Sequence, residues 1–207
     1  MDSFEEHFSE VFETANLKGA RVTLVGLREL DEAASDALYQ KICGSREFLL
    51  EHLPWIAETS PADLRKRARS WCLQAHLSQG GCWQILETAE GGSNSIANVA
   101  ENSVGNLAGF LMMDVNMGNH SATLSYWLFR EFTGRGLMTE SLECLCRFAL
   151  DTLRLNRMEL FASVENPKSQ GVARRCGFRE EGICRDFELK NGIFVDHVRF
   201  SRLARDG

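Results

Sequence analysis

Gly134-Arg135-Gly136 is the segment of the chain whose residue types and spacing point most directly to chemistry. Two glycines, one residue apart, stand where an apolar, strand-like run hands over to a long amphipathic segment beginning at Leu137-Met138-Thr139. At a helix start the first N–H groups have no intrahelical partner, and the helix dipole adds partial positive charge. Glycines let the backbone approach a ligand closely, so the turn is a candidate cradle for a phosphate or pyrophosphate. Two phosphate-binding motifs are excluded. The third glycine of the dinucleotide fingerprint is missing, and so is the Gly-Lys-Ser/Thr of a P-loop. Without further context, a tight turn made for close helix–sheet packing explains the same two glycines.

The elements that must position this turn follow from periodicity. Phe4, Phe8, Val11, Phe12 and Ala15 recur at helical spacing and predict an amphipathic helix over residues 2–17. Residues 21–28 read as a strand, and Asp31 caps a helix reaching about Cys43. Residues 45–53 look helical and stop at Pro54-Trp55; Ser60-Pro61-Ala62-Asp63 then starts another helix, ending before Gly80-Gly81. Strands are expected over 82–88, 107–115 and 122–129, with a Gly/Ser/Asn/Ala-rich mobile loop over 89–104. After the glycine turn, Met138, Leu142, Leu145, Ala149 and Leu153 form the apolar face of a helix to about 154. A strand over 157–164, a short helix over 167–176 and a hairpin of 179–189 and 193–203, turned at Asn191-Gly192, complete the chain. Strand 122–129, the following helix and strand 157–164 make a βαβ unit, so these two strands run parallel. The expected fold is α/β (α+β): a mixed, mostly antiparallel sheet with one parallel pair, flanked by helices.

Bulk composition narrows the function classes. The chain has 207 residues, 44% of them apolar, which suits one compact domain or one domain with an extension. No apolar run approaches the ~20 residues of a membrane span, and the acidic N-terminal segment does not resemble a secretory signal. The seven cysteines include no Cys-x-x-Cys pair; they read as reduced packing thiols of a cytoplasmic protein, with no metal site. A net charge of −6 argues against nucleic acid as the main partner.

An ordered set of motifs surrounds the turn. Tyr126-Trp127-Leu128, Gly134-Arg135-Gly136-Leu137-Met138-Thr139-Glu140, Leu155-Asn156-Arg157 and Glu165-Asn166-Pro167-Lys168-Ser169 follow in sequence, then Val172-Ala173, Cys176-Gly177-Phe178, Asn191-Gly192 and Asp196-His197. Together they resemble the GNAT N-acetyltransferases, and within them the RimJ/RimL branch of ribosomal-protein N-terminal acetyltransferases. The resemblance covers roughly residues 20–203, so residues 1–19 are expected as an N-terminal helical extension and 20–207 as the acetyltransferase domain.

The resemblance implies acetyl-CoA as cofactor. The pantetheine arm would lie along the strand at Trp127, Leu128 and Phe129, with one N–H as oxyanion donor, and the pyrophosphate on the turn formed by Thr133, Gly134, Arg135, Gly136, Leu137, Met138 and Thr139. Arg135 would add a charge-assisted bond or remain a solvated helix-entry arginine. Asn166 and Ser169 match an Asn-x-x-Ser element that faces the cofactor; Ser169 is the candidate donor to the departing thiolate, or else bonds only the helix backbone. Glu188 matches the glutamate proposed as base in this branch, the other reading being an exposed strand glutamate. The acid common in relatives on the strand 122–129 is replaced by Thr123, which places the weight on Glu188 or on water. Trp55, in Leu53-Pro54-Trp55, is expected to wall the acceptor cleft or to pack in the core, and His197 is expected as a structural hydrogen-bonder. The acceptor implied is a protein or peptide N-terminal amine. A small amine (polyamine or aminoglycoside-like), or a non-catalytic CoA-binding module, are the other readings, and both a monomer and a homodimer stay open.

Overall fold

The computed structural model describes Phe12, residues 15–88 and residues 107–206. The loop expected over 89–104 lies outside the described residues, as does most of the helix expected over 2–17. The part of that segment that is described departs from a helix at its end, where Leu17–Lys18 forms a short strand, β1. It is followed by β2 (Val22–Gly26), helix α1 (Glu32–Gly44), α2 (Arg46–Leu50) and α3 (Pro61–His76). Then come β3 (Gly80–Glu87), β4 (Leu107–Asn116), β5 (Ser121–Leu128), α4 (Leu137–Arg147), β6 (Arg157–Ser163), α5 (Pro167–Arg175), β7 (Arg179–Lys190) and β8 (Ile193–Leu203).

Local chemistry accounts for these boundaries. The Asp31 side chain accepts the Ala34 N–H and opens α1. Ser60 and Asp63 form a reciprocal capping box at α3, with Pro61 in the first turn, where a missing N–H costs nothing. Residues 45–58 are less regular than a single helix: α2 is one short turn, and Pro54 starts a 3₁₀ turn over Pro54–Glu58.

The described strands form one sheet in the order β1-β2-β3-β4-β5-β6-β8-β7, antiparallel except for β5 and β6. The βαβ unit is therefore present as the periodicity predicts, with α4 as its crossover. Met138, Leu142, Leu145, Ala149 and Leu153 are all buried, Ala149 in a wider π turn (Phe148–Thr152) that ends the helix and Leu153 at its C-cap. Leu142, fully buried, is worth about 1.5–3 kcal/mol over an exposed side chain. Trp83 and Phe200, also fully buried, anchor the core from β3 and β8.

Two topological details shape the site. The register of β5 with β6 runs from Ser121 opposite Arg157 to Leu124 opposite Leu160, and ends there. Strand β5 nevertheless continues to pair with β4 as far as Leu128 opposite Gly109. The C-terminal hairpin folds back so that β8 pairs with β6 and β7 is the outer strand.

The far end of that hairpin is tied by charges. Arg157 binds both Glu181, at 2.9 Å from Nη1 to Oε1, and Glu159, at 2.8 Å from Nε; Arg199 also donates to Glu159, and Ser201 Oγ to Glu181 at 2.6 Å. The hydrogen bond from Arg157, then that from Ser201, holds the Glu181 carboxyl down at about 2 from an ordinary 4.5. In Glu159 burial opposes ionisation, but hydrogen bonds from Arg199 and Arg157 prevail and its pKa is also lowered. A depressed acid stabilises the fold above its unfolded pKa and loses that contribution as pH falls toward the folded one. The Tm should accordingly drop between about pH 4.5 and 2, and drop less steeply over that window in Glu181→Gln. Thermal melts across this range check it; equal slopes in the two proteins would contradict it.

Candidate active site

The glycine turn has the geometry its sequence suggests. Gly134 and Gly136 both lie at positive φ, +73° and +79°. Gly136 is the N-cap of α4 in the left-handed region. Glu140 N–H is the first to close a helical bond, onto Gly136 O at 3.1 Å. The N–H groups of Leu137, Met138 and Thr139 precede that ladder and point out of the helix start. The turn is braced from behind. Arg21 donates to Glu140 through its backbone N–H at 2.7 Å and Nε at 3.0 Å, and through Nη1 to Arg135 O at 3.0 Å.

A cleft of about 800 Å³ opens from this turn into the gap where β5 and β6 diverge. Ser125, Tyr126, Trp127 and Leu128 form one wall, Leu160 to Ser163 the other, and Thr133, Gly134, Gly136, Leu137, Met138 and Thr139 the turn end. Phe129 N–H donates to Ala108 O of β4 at 2.9 Å. Because backbone direction alternates along a strand, Trp127 N–H also faces β4, and the N–H groups of Tyr126 and Leu128 face the cleft. The strand thus offers an unpaired polar edge to whatever enters.

Asn166 and Ser169 reach the cleft from the start of α5. The Asn166 side chain is the N-cap, accepting Ser169 N–H at 3.0 Å. The Ser169 hydroxyl is not spent on the helix: its Oγ lies 2.9 Å from the hydroxyl of Tyr126, which also donates to Ser169 O at 3.3 Å. Burial pushes the Tyr126 phenol up to about 12 against the opposing Ser169 hydrogen bond, so it is a protonated donor at neutral pH. The ordered motifs include Tyr126 without giving it a part in the chemistry; its place on the same sheet face as Leu124 and Leu128 was the available signal.

Glu188 and His197 approach from the hairpin. His197 Nε2 is 3.2 Å from Glu188 Oε2, and a carboxylate can only accept, so Nε2 carries the proton in this bond. The ring is buried, its Nδ1 has no partner among the described residues, and Phe187 packs over it at 4.8 Å while stacking on Phe161 at 4.6 Å. His197 is therefore the structural hydrogen-bonder expected from its strand position, and its partner is the candidate base itself. Oε1 of Glu188 is left for another donor.

Of the residues the sequence proposed, three stand outside the cleft. Phe129 is fully buried and its N–H is taken by Ala108, so only its neighbours can serve as oxyanion donor. Arg135 keeps its backbone in the turn, but its side chain turns away to the Glu87 carboxylate and the Phe132 ring. Trp55 packs edge-on against Trp127 at 6.5 Å, behind the wall instead of on it. A cation that sequence reasoning missed is Arg175, which lines the cleft with Nε 3.3 Å from Thr139 Oγ1. Lys168, Lys190 and His52 also line it, as does Glu51. Among the described residues no group of His, Cys, Asp and Glu could hold a metal ion.

Comparison with known proteins places this geometry. Residues 22–179 match the family described as acetyltransferase (GNAT) domain. YdaF of Bacillus subtilis (strain 168), named provisionally as a ribosomal N-acetyltransferase, is 38% identical over 103 residues. That match covers 49% of this chain and 56% of YdaF, so the chain spans little more than half of that relative's length. The ribosomal-protein-serine acetyltransferase of Escherichia coli (strain K12) is 26% identical over 80% of this chain and 85% of its own. In fold, the chain resembles RimL, the ribosomal L7/L12 α-N-protein acetyltransferase solved with coenzyme A, with a TM-score of 0.75 at 24% identity over 91% of this chain and 98% of that one.

The left-handed Gly136 has a direct consequence for stability. Adding a Cβ at its φ of +79° costs about 1–2 kcal/mol, and Asn tolerates this region better than Ala. Denaturant titration should find Gly136→Ala less stable by about 1 kcal/mol or more, with Gly136→Asn between it and the wild type. Equal stability of the alanine variant and the wild type would contradict the left-handed cap.

Proposed function

The chain belongs to the acetyltransferase (GNAT) domain family, and from that premise we propose that it transfers the acetyl group of acetyl-CoA to a primary amine, the N-terminal α-amine of a protein or peptide. The observation that carries this reading is the divergence of β5 from β6 beside a turn of free N–H groups. One cleft then offers an extended polar strand edge for a pantetheine arm and an anion cradle for a pyrophosphate. The names of the Escherichia coli relative and of RimL support a protein acceptor. The seven free cysteines suit a reducing, cytoplasmic setting.

Acetyl-CoA supplies an acyl carbon already activated as a thioester. Residues of the chain handle the charges that transfer creates. Leu137, Met138 and Thr139 offer N–H donors to the pyrophosphate, with Arg175 beside them. Leu128 N–H is the donor placed to hold negative charge on the acyl oxygen. Glu188 Oε1 takes the proton of the attacking amine, directly or through water, while His197 fixes the other oxygen. As the amine's nitrogen bonds to the acyl carbon and the carbon–sulfur bond breaks, Ser169 donates to the sulfur, backed by the protonated Tyr126. Thr123 takes no part: it sits opposite Glu159 in the β5–β6 ladder and does not line the cleft.

Thiol release from acetyl-CoA with a panel of N-terminal peptides and small amines tests the activity. Turnover of peptides is the expected result, and no turnover with any amine would overturn the proposal. An α-amine is mostly protonated below its reference pKa of ~8, so a base matters most there. Glu188→Gln should lower kcat/KM about a hundredfold near pH 6 and much less above pH 9. A pH profile parallel to that of the wild type would remove Glu188 from the base role.

A further inference from the structure

We propose that the amine acceptor carries a carboxylate about 7 Å from its reacting nitrogen, held by Lys190, so that the preferred acceptors are peptides with Asp or Glu as their second residue. This rests on the transferase reading above. Glu188 and Lys190 alternate on β7, so both side chains leave the same face, and both line the cleft. The register of Glu188 opposite Val195 and Lys190 opposite Ile193, closed by the left-handed Asn191 and Gly192, fixes their spacing at two strand residues. Two strand residues span about 7 Å. If Glu188 receives the amine, Lys190 stands where a neighbouring acidic side chain would reach.

Lys190 is short of a partner. It is half-buried, and among the described residues the lysine ion pairs are Lys41–Glu131 and Lys66–Asp63, neither in the cleft mouth. An ammonium that lines a cleft without an ion pair can be met by an anionic group of a ligand. The surrounding charge supports this. His52, also lining the cleft, has its pKa lowered, first by partial burial and next by Lys190, with Glu51 opposing and Lys168 adding. Lys168 is exposed and lacks an ion pair among the described residues. The acids of this end are Glu51, exposed on the rim, and Glu188, already hydrogen-bonded by His197. The cofactor's phosphates do not need Lys190: the glycine turn and Arg175 lie on the β5 side of the gap, whereas β7 lies beyond β6 and β8.

The spacing also selects among anionic amines. In a free amino acid the α-carboxylate is only about 3 Å from the amine, too near to bridge the two side chains. An acidic side chain at the second residue of a peptide matches the span. A polyamine would bring a second cation to Lys190 and is disfavoured.

The test compares kcat/KM for otherwise identical peptides with Asp, Ala or Lys as second residue, and for free amino acids, in the wild type and in Lys190→Glu, Lys190→Gln and Lys190→Arg. Ratios between peptides within one protein cancel any overall loss of rate. The wild type should prefer Asp over Lys by about threefold to tenfold, with the preference falling as salt is raised. Lys190→Arg should keep that order, Lys190→Gln flatten it and Lys190→Glu invert it. Equal rates across the wild-type peptides, a preference for free amino acids, or a Lys190→Gln protein that still prefers Asp would each overturn the proposal. If Lys190→Glu fails to fold, the wild-type panel and the glutamine variant decide. Absence of transfer to every amine would instead strike the transferase reading.

Discussion

Past Leu124 and Leu160 the parallel strands β5 and β6 part, and backbone groups that would have bonded across the ladder face a cleft. Buried backbone N–H and C=O groups are rarely left without partners, so an unpaired strand edge inside a cleft calls for a ligand with the repeat of a peptide. The rest of the site depends on that parting. It admits Ser169 from α5 to Tyr126 of β5, it lets the hairpin bring Glu188 and His197 to the open end, and it aims the cleft at the start of α4. The divergence is held from both sides. Trp127, packed on Phe110, Phe129 and Trp55, keeps β5 against β4, while β6 is committed to β8 from Arg157 opposite Leu203 to Ser163 opposite His197.

What the sequence disclosed and what it withheld divide along physical lines. The apolar stripe of α4, the capping box of α3, the Asp31 cap of α1, the glycine turn and the parallel βαβ pair are encoded by residues close together in the chain, and they stand in the structure as read. The 3₁₀ turn at Pro54–Glu58 and the strand at Leu17–Lys18 were not legible, because pairing with Leu24 and Thr23 decides the latter and no local propensity does. Asn166, Ser169, Glu188 and the glycine turn, proposed from the ordered motifs, all line the one cleft. Arg135 and Phe129 were assigned by position within a motif, and tertiary partners decided otherwise: Glu87 draws one away, and Ala108 takes the N–H of the other. Tyr126 and Arg175 meet Ser169 and Thr139 across long stretches of chain, and the bond from His197 to Glu188 depends on the register shift between Cys184 and Glu188 in the β7–β8 hairpin; local periodicity sets none of these.

The charges of the cleft are sorted by side. Around the glycine turn, Arg21 and Arg135 are engaged with Glu140 and Glu87, so the turn presents N–H groups and Arg175 in place of a crowd of arginines. Beyond β6, an acid held by a histidine stands two residues from a lysine. On the proposed reading, this arrangement would separate the tasks of holding the donor and of accepting the amine, with Ser169 and Tyr126 between them.

The central claim, that the β5–β6 gap is the acetyl-CoA site, is tested most directly by backbone hydrogen exchange with and without coenzyme A. Slowed exchange at Tyr126 and Leu128 and at Leu137 to Thr139, with Phe129 unchanged because its N–H is already bonded to Ala108, is the result expected. Saturating coenzyme A that protected neither the free edge of β5 nor the start of α4 would contradict the account.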